Sequence, residues 1–285
     1  MTKIQRASIR DLVRIIKFKN RFKEIEHNFY SIIPNNLIYY LFRDRCFFIL
    51  KNKIICGIVF INTSIREIYY LPVTNQIYFF SLMHILKKNF NLEGYIFKFT
   101  YKNGIKIDTY RKYFKFNIIS NIKNMQCDIG KLNNIYSFPD DIRVRKLDIS
   151  RKDEIYLRLE LQNKVFGGKN GRQNLTIDEV IEEQKNPRFL RNMCFVLEIN
   201  SVPAGYGQIL IIDNLYHLVN FGVIPEFRRK GYGYYFLLGI IEECKKYEIE
   251  ELYLTVDNMN HSAVNLYKKI GFKEIFNQAK IELKE

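Results

Sequence analysis

The sequence has no tryptophan and only six prolines. No apolar run reaches the roughly 18 residues that a membrane-spanning helix needs, because charged or polar residues interrupt every candidate. Membrane insertion is therefore not expected. The stretch from Met1 to Lys19 lacks both an uninterrupted apolar segment and a small-residue cleavage site, so the chain reads as cytoplasmic. The five cysteines (Cys46, Cys56, Cys127, Cys194, Cys244) form no C-x-x-C pair. They read as small core hydrophobes, not as a disulfide framework or a structural zinc site. The four histidines (His27, His84, His217, His261) show no spacing such as H-E-x-x-H, so no metal is expected.

Acidic residues are scarce in one half only. Residues 1–130 hold 22 Lys and Arg against 8 Asp and Glu, while residues 131–285 hold 23 against 22. Nearly all of the net charge of +15 thus lies in the first half. Such a half can attract nucleic acid, an anionic membrane or an acidic substrate. An Ile-, Lys- and Asn-rich composition would load both halves alike, yet the second is balanced by acids. No basic tail is present, and no K/R-G-F/Y-G/A-F signature marks an RNA-binding sheet.

With 285 residues, 47% of them apolar, the chain is long enough for two domains with cores of their own. Self-comparison shows an internal repeat. Cys46-Phe47-Phe48-Ile49-Leu50-Lys51-Asn52, followed by Gly57, matches Cys194-Phe195-Val196-Leu197-Glu198-Ile199-Asn200, followed by Gly205. Each reads as a hairpin with its turn at the asparagine. A second echo lies at the two ends. Tyr110-Arg111-Lys112 precedes Phe116, and Tyr267-Lys268-Lys269 precedes Phe272. Beyond them, Ile119, Asn121, Met125 and Cys127 match Ile275, Asn277, Ile281 and Leu283. Two echoes in one order predict a duplicated α/β domain: 1–130, a linker over 131–141, then 142–285.

In the second half, Ile142–Leu147 reads as a strand and Arg151–Phe166 as a helix. Ile177–Gln184 reads as another helix, behind Thr176 as N-cap. Met193–Ile199 and Ala204–Ile212 form the hairpin, and Leu215–Val223 is a further strand. A helix over Tyr234–Tyr247 buries Phe236, Leu237, Ile240, Ile241 and Cys244 on one face. Leu252–Val256 is a strand, Ser262–Lys269 a short helix, and two short strands close the chain. Between Val223 and the long helix lies Arg228-Arg229-Lys230-Gly231-Tyr232-Gly233. Glycine lets backbone turn tightly and approach a ligand. The first amides of a helix have no internal partner and sit at the positive end of its dipole, so such a turn suits phosphate.

The pattern Val223-x-Pro225-Glu226-Phe227-Arg228-Arg229-Lys230-Gly231-Tyr232-Gly233 resembles the pyrophosphate-binding motif of the GNAT acyltransferases. Asn260-x-x-Ala263-x-x-Leu266-Tyr267-x-x-x-Gly271-Phe272 resembles that family's second motif, in the right order and at the right distance. It is not the dinucleotide fingerprint, whose third glycine is absent. The resemblance covers about residues 142–285 and implies acyl transfer from acyl-CoA, most simply acetyl-CoA, to a primary amine on a small molecule or peptide. It implies two tandem α/β (α+β) domains, each a central mixed, mostly antiparallel sheet flanked by helices. Backbone amides around Arg228, Arg229, Lys230, Gly231, Tyr232 and Gly233 would hold the pyrophosphate. The backbone near Val223 would pair with pantetheine, and a backbone amide there could polarise the thioester carbonyl. Asn260 would hydrogen-bond the donor or cap the last helix. Tyr267 would protonate the departing thiolate, or serve as a core aromatic. The base is open. His217, Val219, Phe221 and Val223 share one face of their strand if no bulge intervenes, and an unperturbed histidine has a suitable pKa. Asn220 or Glu226 holding water are alternatives to His217.

The first half resembles the same fold in degenerate form. Its strand Glu67–Leu71 ends at Pro72, and Val73-Thr74-Asn75-Gln76-Ile77-Tyr78-Phe79-Phe80 follows without glycine or cation. The expectation is a silent half beside an active one. A non-catalytic acyl-CoA sensor, and an acyltransferase acting on a nucleic-acid-associated or anionic acceptor, are the readings that compete with a simple amine acetyltransferase.

Overall fold

The computed structural model describes residues 2–18, 40, 41, 43, 45–72, 86, 88, 90–101, 107–112, 115–132, 137–168 and 173–284. The chain packs as two compact units. One comprises Met1–Asn124, Asp257–Met259 and Glu274–Glu285, and the other Met125–Val256 and Asn260–Lys273.

The first unit holds strands β1 (Thr2–Arg6), β2 (Cys46–Lys51), β3 (Ile54–Asn62), β4 (Glu67–Pro72) and β5 (Ile96–Tyr101). It also holds the opening part of β6 (Phe116–Asp128) and nearly all of the chain's last strand, β12 (Lys273–Leu283). Their order is β1-β2-β3-β4-β5-β12-β6. The pairs β1–β2, β2–β3, β3–β4 and β5–β12 are antiparallel, and β4–β5 is parallel. Phe97, Phe99, Ile61, Ile68 and Ile281 lie in one core of this unit, and Phe48, Ile58 and Phe60 in another.

The second unit holds β7 (Ile142–Lys146), α1 (Lys152–Phe166), α2 (Ile177–Glu183), β8 (Phe189–Ile199), β9 (Val202–Ile212) and β10 (Leu215–Val223). After these come α3 (Tyr232–Lys246), β11 (Glu251–Asp257, whose last residue falls in the first unit) and α4 (His261–Ile270). Its strand order is β6-β11-β10-β9-β8-β7, with β10–β11 parallel. The predicted face of α3 is buried at Phe236, Leu237, Ile240, Ile241 and Cys244, packed with Val264 and Tyr267 of α4 on one side of the sheet. On the other side, Leu161 and Val165 of α1 meet Val196, Tyr206 and Ile224. Thr176 caps α2 in a capping box with Glu179. All five cysteines are buried. Burial pushes the Cys46 and Cys244 thiols up to about 12, so these two stay protonated at neutral pH.

The sequence repeat holds down to single residues. In the first unit Ile49 pairs with Gly57 and the register slips between Ile49 and Leu50. In the second Leu197 pairs with Gly205 and the register slips between Leu197 and Glu198. Asn52 and Lys53, and likewise Asn200 and Ser201, all have positive φ, the signature of a two-residue hairpin turn whose twist matches the strands. The closing strands are exchanged, however. Asn277–Glu282 of β12 pairs with Tyr101–Ile96 of β5 in the first unit. The end of β6 belongs to the second, where the Ile129 amide donates to the Glu250 carbonyl at 2.8 Å. A cut within 131–141 therefore divides the sequence but not the packing. The two short strands expected at the C-terminus are one strand of 11 residues, since no turn residue interrupts its pairing with β5.

Gly222 of β10 lies directly under α1, where an added Cβ would stand 2.4 Å from Cγ1 of Val165. Gly222→Ala should force the end of α1 away from the sheet and cost about 1–3 kcal/mol, the usual range for overpacking. A urea titration checks this, and an unchanged midpoint would contradict it.

Candidate active site

The site begins with a fault in β10. Leu215 to Val219 pair with Ile212 to Gln208 in regular antiparallel register. Pairing resumes with Gly222 opposite Tyr206 and Val223 opposite Gly205, so β10 carries one extra residue and Asn220 has φ 49°. A bulge of this kind reverses which face each later side chain occupies. Tyr216 and Leu218 face α3 and α4 before it, and Phe221 and Val223 face them after it. His217 and Val219 therefore lie on the opposite face from Phe221 and Val223, which corrects the single face expected from alternation. The parallel pairing of β10 with β11 is confined to His217 opposite Tyr253 and Leu218 opposite Leu254. Beyond these the strands part, and the β11-facing edge of Val219–Val223 has no ladder partner among the described residues.

The phosphate-type turn follows at once. A single turn over Pro225–Phe227 leads to Arg228 in extended conformation. Arg229 (φ 61°) and Gly231 (φ 82°) are left-handed, and Gly231 is the N-cap of α3. Alternating conformations of this kind turn successive amides inward as an anion-binding nest. The amides from Arg229 to Gly233 donate to no acceptor among the described residues. The αL geometry explains why glycine stands at 231. A Cβ at Gly233 would only touch Leu266 at 3.4 Å, so nothing in the resting fold demands glycine there.

The three cations of the turn differ in their surroundings. The Arg228 guanidinium donates to the Val223 carbonyl at 2.8 Å and to the Val165 carbonyl at 3.1 Å, tying the turn to the ends of β10 and α1. Arg229 and Lys230 are exposed, with the Lys230 ammonium 5.8 Å from the centre of the Phe227 ring. Tyr232 packs against Phe227, their ring centres 6.2 Å apart. The Lys269 ammonium, on α4, lies 4.4 Å over the Tyr234 ring.

Tyr267 on α4 lies between Phe221 and Phe272, with ring centres at 6.2 and 5.8 Å. Burial alone holds its phenol well above the usual tyrosine range, so it keeps its proton at neutral pH. Asn260 caps α4, its side-chain oxygen accepting from the Ala263 amide at 3.2 Å and from the Ser262 hydroxyl at 3.1 Å. His217 is only 4% exposed, its ring 5.6 Å from that of Tyr253. Desolvation pushes its pKa down to about 4, partly offset by the charge of Asp213. Asn220, at the bulge, donates from Nδ2 to Oε1 of Gln208 at 3.4 Å. Glu226 is exposed in the turn before Arg228.

Sequence reasoning missed a buried cation in α1. Arg158 of α1 is fully buried, paired with Glu183 and donating from Nε to Gln162 at 3.0 Å, with the Phe189 and Tyr206 rings at 5.1 and 5.8 Å. Its only signal in the sequence is helical spacing with Leu161, Gln162 and Val165, the other buried positions of α1.

Known proteins can be compared with this geometry. Residues 156–272 match the model of the acetyltransferase (GNAT) family. Over this span, which is less than half of the chain, the sequence is similar to the GNAT acetyltransferases. An N-alpha-acetyltransferase of Sulfurisphaera tokodaii is 43% identical over 94 residues, covering 28% of this chain and 56% of that protein. The [ribosomal protein bS18]-alanine N-acetyltransferase of Escherichia coli K12 is 31% identical over 84 residues, covering 30% and 57%. The chain thus spans about half the length of the curated relatives it matches. A GCN5-related N-acetyltransferase of Sphaerobacter thermophilus superimposes on 98% of the chain and 94% of its own, with TM-score 0.59 and 11% identity. A GNAT-family acetyltransferase of Colwellia psychrerythraea covers 99% and 100%, with TM-score 0.51 and 14% identity. The likeness in fold therefore extends beyond the GNAT domain to the first half.

The buried His217 has a consequence for stability. Its folded pKa is depressed below the unfolded value near 6.5, so unfolded chains take up the proton first. Its contribution is complete above pH 6.5 and is lost as pH falls towards 4, up to about 3 kcal/mol. Melting temperature followed from pH 7.5 to 4.5 should fall more steeply for the native protein than for His217→Asn. Parallel curves would contradict this.

Proposed function

We propose that the protein transfers an acetyl group from acetyl-CoA to a primary amine, and that the acceptor is the α-amine of a protein or peptide. The observation that carries the reading is the succession on one strand end: a bulge, a parting of parallel strands, and a nest of amides opening a helix. The parted edge of β10 offers backbone donors and acceptors to an extended pantetheine arm. The amides of Arg229 to Gly233 suit a pyrophosphate, with Arg229 and Lys230 adding attraction. The choice of an α-amine draws on relatives named as N-alpha-acetyltransferases and as a ribosomal-protein-alanine acetyltransferase.

In this reading Gly231 holds the turn in its left-handed shape, while Gly233 leaves room for a phosphate oxygen. Val223 sets the register of the pantetheine arm, and Arg228 braces the turn from behind. Tyr267 keeps its proton until a thiolate develops beside it, then donates to the sulfur. Asn260 caps α4 and so orients Tyr267, leaving its amide group for the donor. His217, uncharged and buried beside Tyr253, is poorly placed to take the proton of the amine. Water held at Asn220 or Glu226 does so instead. Catalysis then rests chiefly on holding amine and thioester together, since the two already react with each other.

The first half is read as a repeat of the fold without a donor site. Its β4 pairs with β3 without interruption from Asn62–Glu67 to Gly57–Pro72, lacking the extra residue of β10. Its parallel pairing with β5 runs from Glu67 through Tyr70. The segment Val73–Phe80, where a phosphate turn would fall, lies outside the described residues. The excess of cations in this half suits an anionic acceptor, such as a protein bound to nucleic acid.

Acetyl-CoA should raise the melting temperature, because it binds only the folded chain. Gly231→Val should abolish that shift, since valine resists positive φ. Tyr267→Phe should keep the shift but lower turnover on peptide amines roughly 10²-fold. Unchanged turnover would place Tyr267 in the core alone. Binding without turnover on any amine would make the protein an acyl-CoA sensor.

A further inference from the structure

The repeat places two asparagines, Asn121 on β6 and Asn277 on β12, in matching positions. The structure brings them together on a third. Asn258, the first residue after β11, donates from Nδ2 to Oδ1 of Asn121 at 2.8 Å, to Oδ1 of Asn277 at 3.2 Å and to the Tyr101 hydroxyl at 3.3 Å. Its own amide donates to the Asn121 carbonyl at 2.9 Å. The Tyr101 hydroxyl donates to Oδ1 of Asn121 at 2.5 Å. Asn277 donates to Glu274 at 2.5 Å, and the Lys123 ammonium reaches both Glu274 and Asn277. Asn277 is 2% exposed and Lys123 9%.

The register shows that Tyr101 and Asn258 are counterparts as well. Ile96 stands opposite Glu67 in the first unit as Tyr253 stands opposite His217 in the second, and five residues on from each come Tyr101 and Asn258. Four side chains from two pairs of repeated positions thus form one closed polar knot. A buried network of this kind is stabilising only while every member is satisfied, and loss of one leaves the others without partners.

The knot fixes a segment that matters to the site. Asp257–Met259 packs with the first unit, although the residues on either side, Val256 and Asn260, belong to the second. One residue after the segment, Asn260 caps the helix that carries Tyr267. We propose that the knot of Tyr101, Asn121, Asn258 and Asn277 fixes Asn258 and, through the two residues that follow it, sets the start of α4 and thereby positions Asn260 and Tyr267. Asn258 is a positioning residue in this account, remote from the reacting atoms. Its effect on turnover rests on the acetyl-transfer reading, whereas its effect on α4 does not.

The test uses the full chain with Asn258→Ala and, as a milder change, Tyr101→Phe. Amide hydrogen exchange at Ala263 and Val264, the first bonded amides of α4, should quicken at least tenfold in both, while exchange within α3 stays as in the native protein. Turnover at saturating acetyl-CoA should fall roughly 10- to 100-fold in Asn258→Ala, as expected for a displacement of about 1 Å. The acetyl-CoA dissociation constant should rise by less than turnover falls, because the turn before α3 is untouched and only the contact from the Asn260 amide group shifts. Native exchange at Ala263 and Val264 in folded variants would overturn the proposal whether or not the protein is an acetyltransferase. So would an equal loss of acetyl-CoA binding and turnover. If Asn258→Ala fails to fold, Tyr101→Phe alone decides, since it removes one hydroxyl and leaves every asparagine in place.

Discussion

One extra residue in β10 organises the site. Without it, β10 would pair with β9 throughout, as β4 does with β3, and could stay beside β11 along its length. With it, the strand twists at Asn220, the side chains beyond change face, and the pairing with β11 ends after Leu218. Beyond Leu218 this edge of β10 pairs with no strand among the described residues, and the Val223 carbonyl accepts from Arg228. Unpaired backbone in a partly buried place is costly unless a ligand or water completes it. The turn after β10 then reaches α3 with left-handed residues at 229 and 231, which leaves a row of amides pointing out.

Much of this was legible in the sequence, for identifiable reasons. Gly231 and Gly233 beside three cations, between an alternating strand and an amphipathic helix, mark an anion turn by local chemistry alone. The burial of Phe236, Leu237, Ile240, Ile241 and Cys244 follows from helical period. Thr176 and Glu179 announced the start of α2 as a capping box. The bulge was not legible, because Val219-Asn220-Phe221-Gly222 alternates as well as an unbroken strand would. Only the pairing with β9 shows the extra residue, and it is this that moved His217 away from the face of Phe221. Arg158 was hidden for a related reason. A cation in a helix reads as solvated until the tertiary fold supplies Glu183 and two aromatic rings. The exchange of closing strands was out of reach too, since each strand has the same pattern whichever partner it takes.

The two halves of the chain share details of structure as well as echoes of sequence. Two hairpins carry the same slip in register, after Ile49 and after Leu197. Two asparagines at matching positions share one donor, Asn258. The halves differ at the strand that precedes the turn: β10 carries a bulge, and β4 runs straight into Pro72. They differ in charge as well, with the excess of cations confined to the half that has the unbroken strand.

In the proposed function the bulge in β10 creates a donor site in the second half of the chain, and the first half has none. Calorimetric titration of acetyl-CoA into the full-length protein, and into a variant from which Asn220 alone is deleted, tests it most directly. The account predicts one molecule bound per native chain, and none by the deletion variant even where its circular dichroism remains native. Two molecules per chain, or undiminished binding by the folded deletion variant, would contradict it.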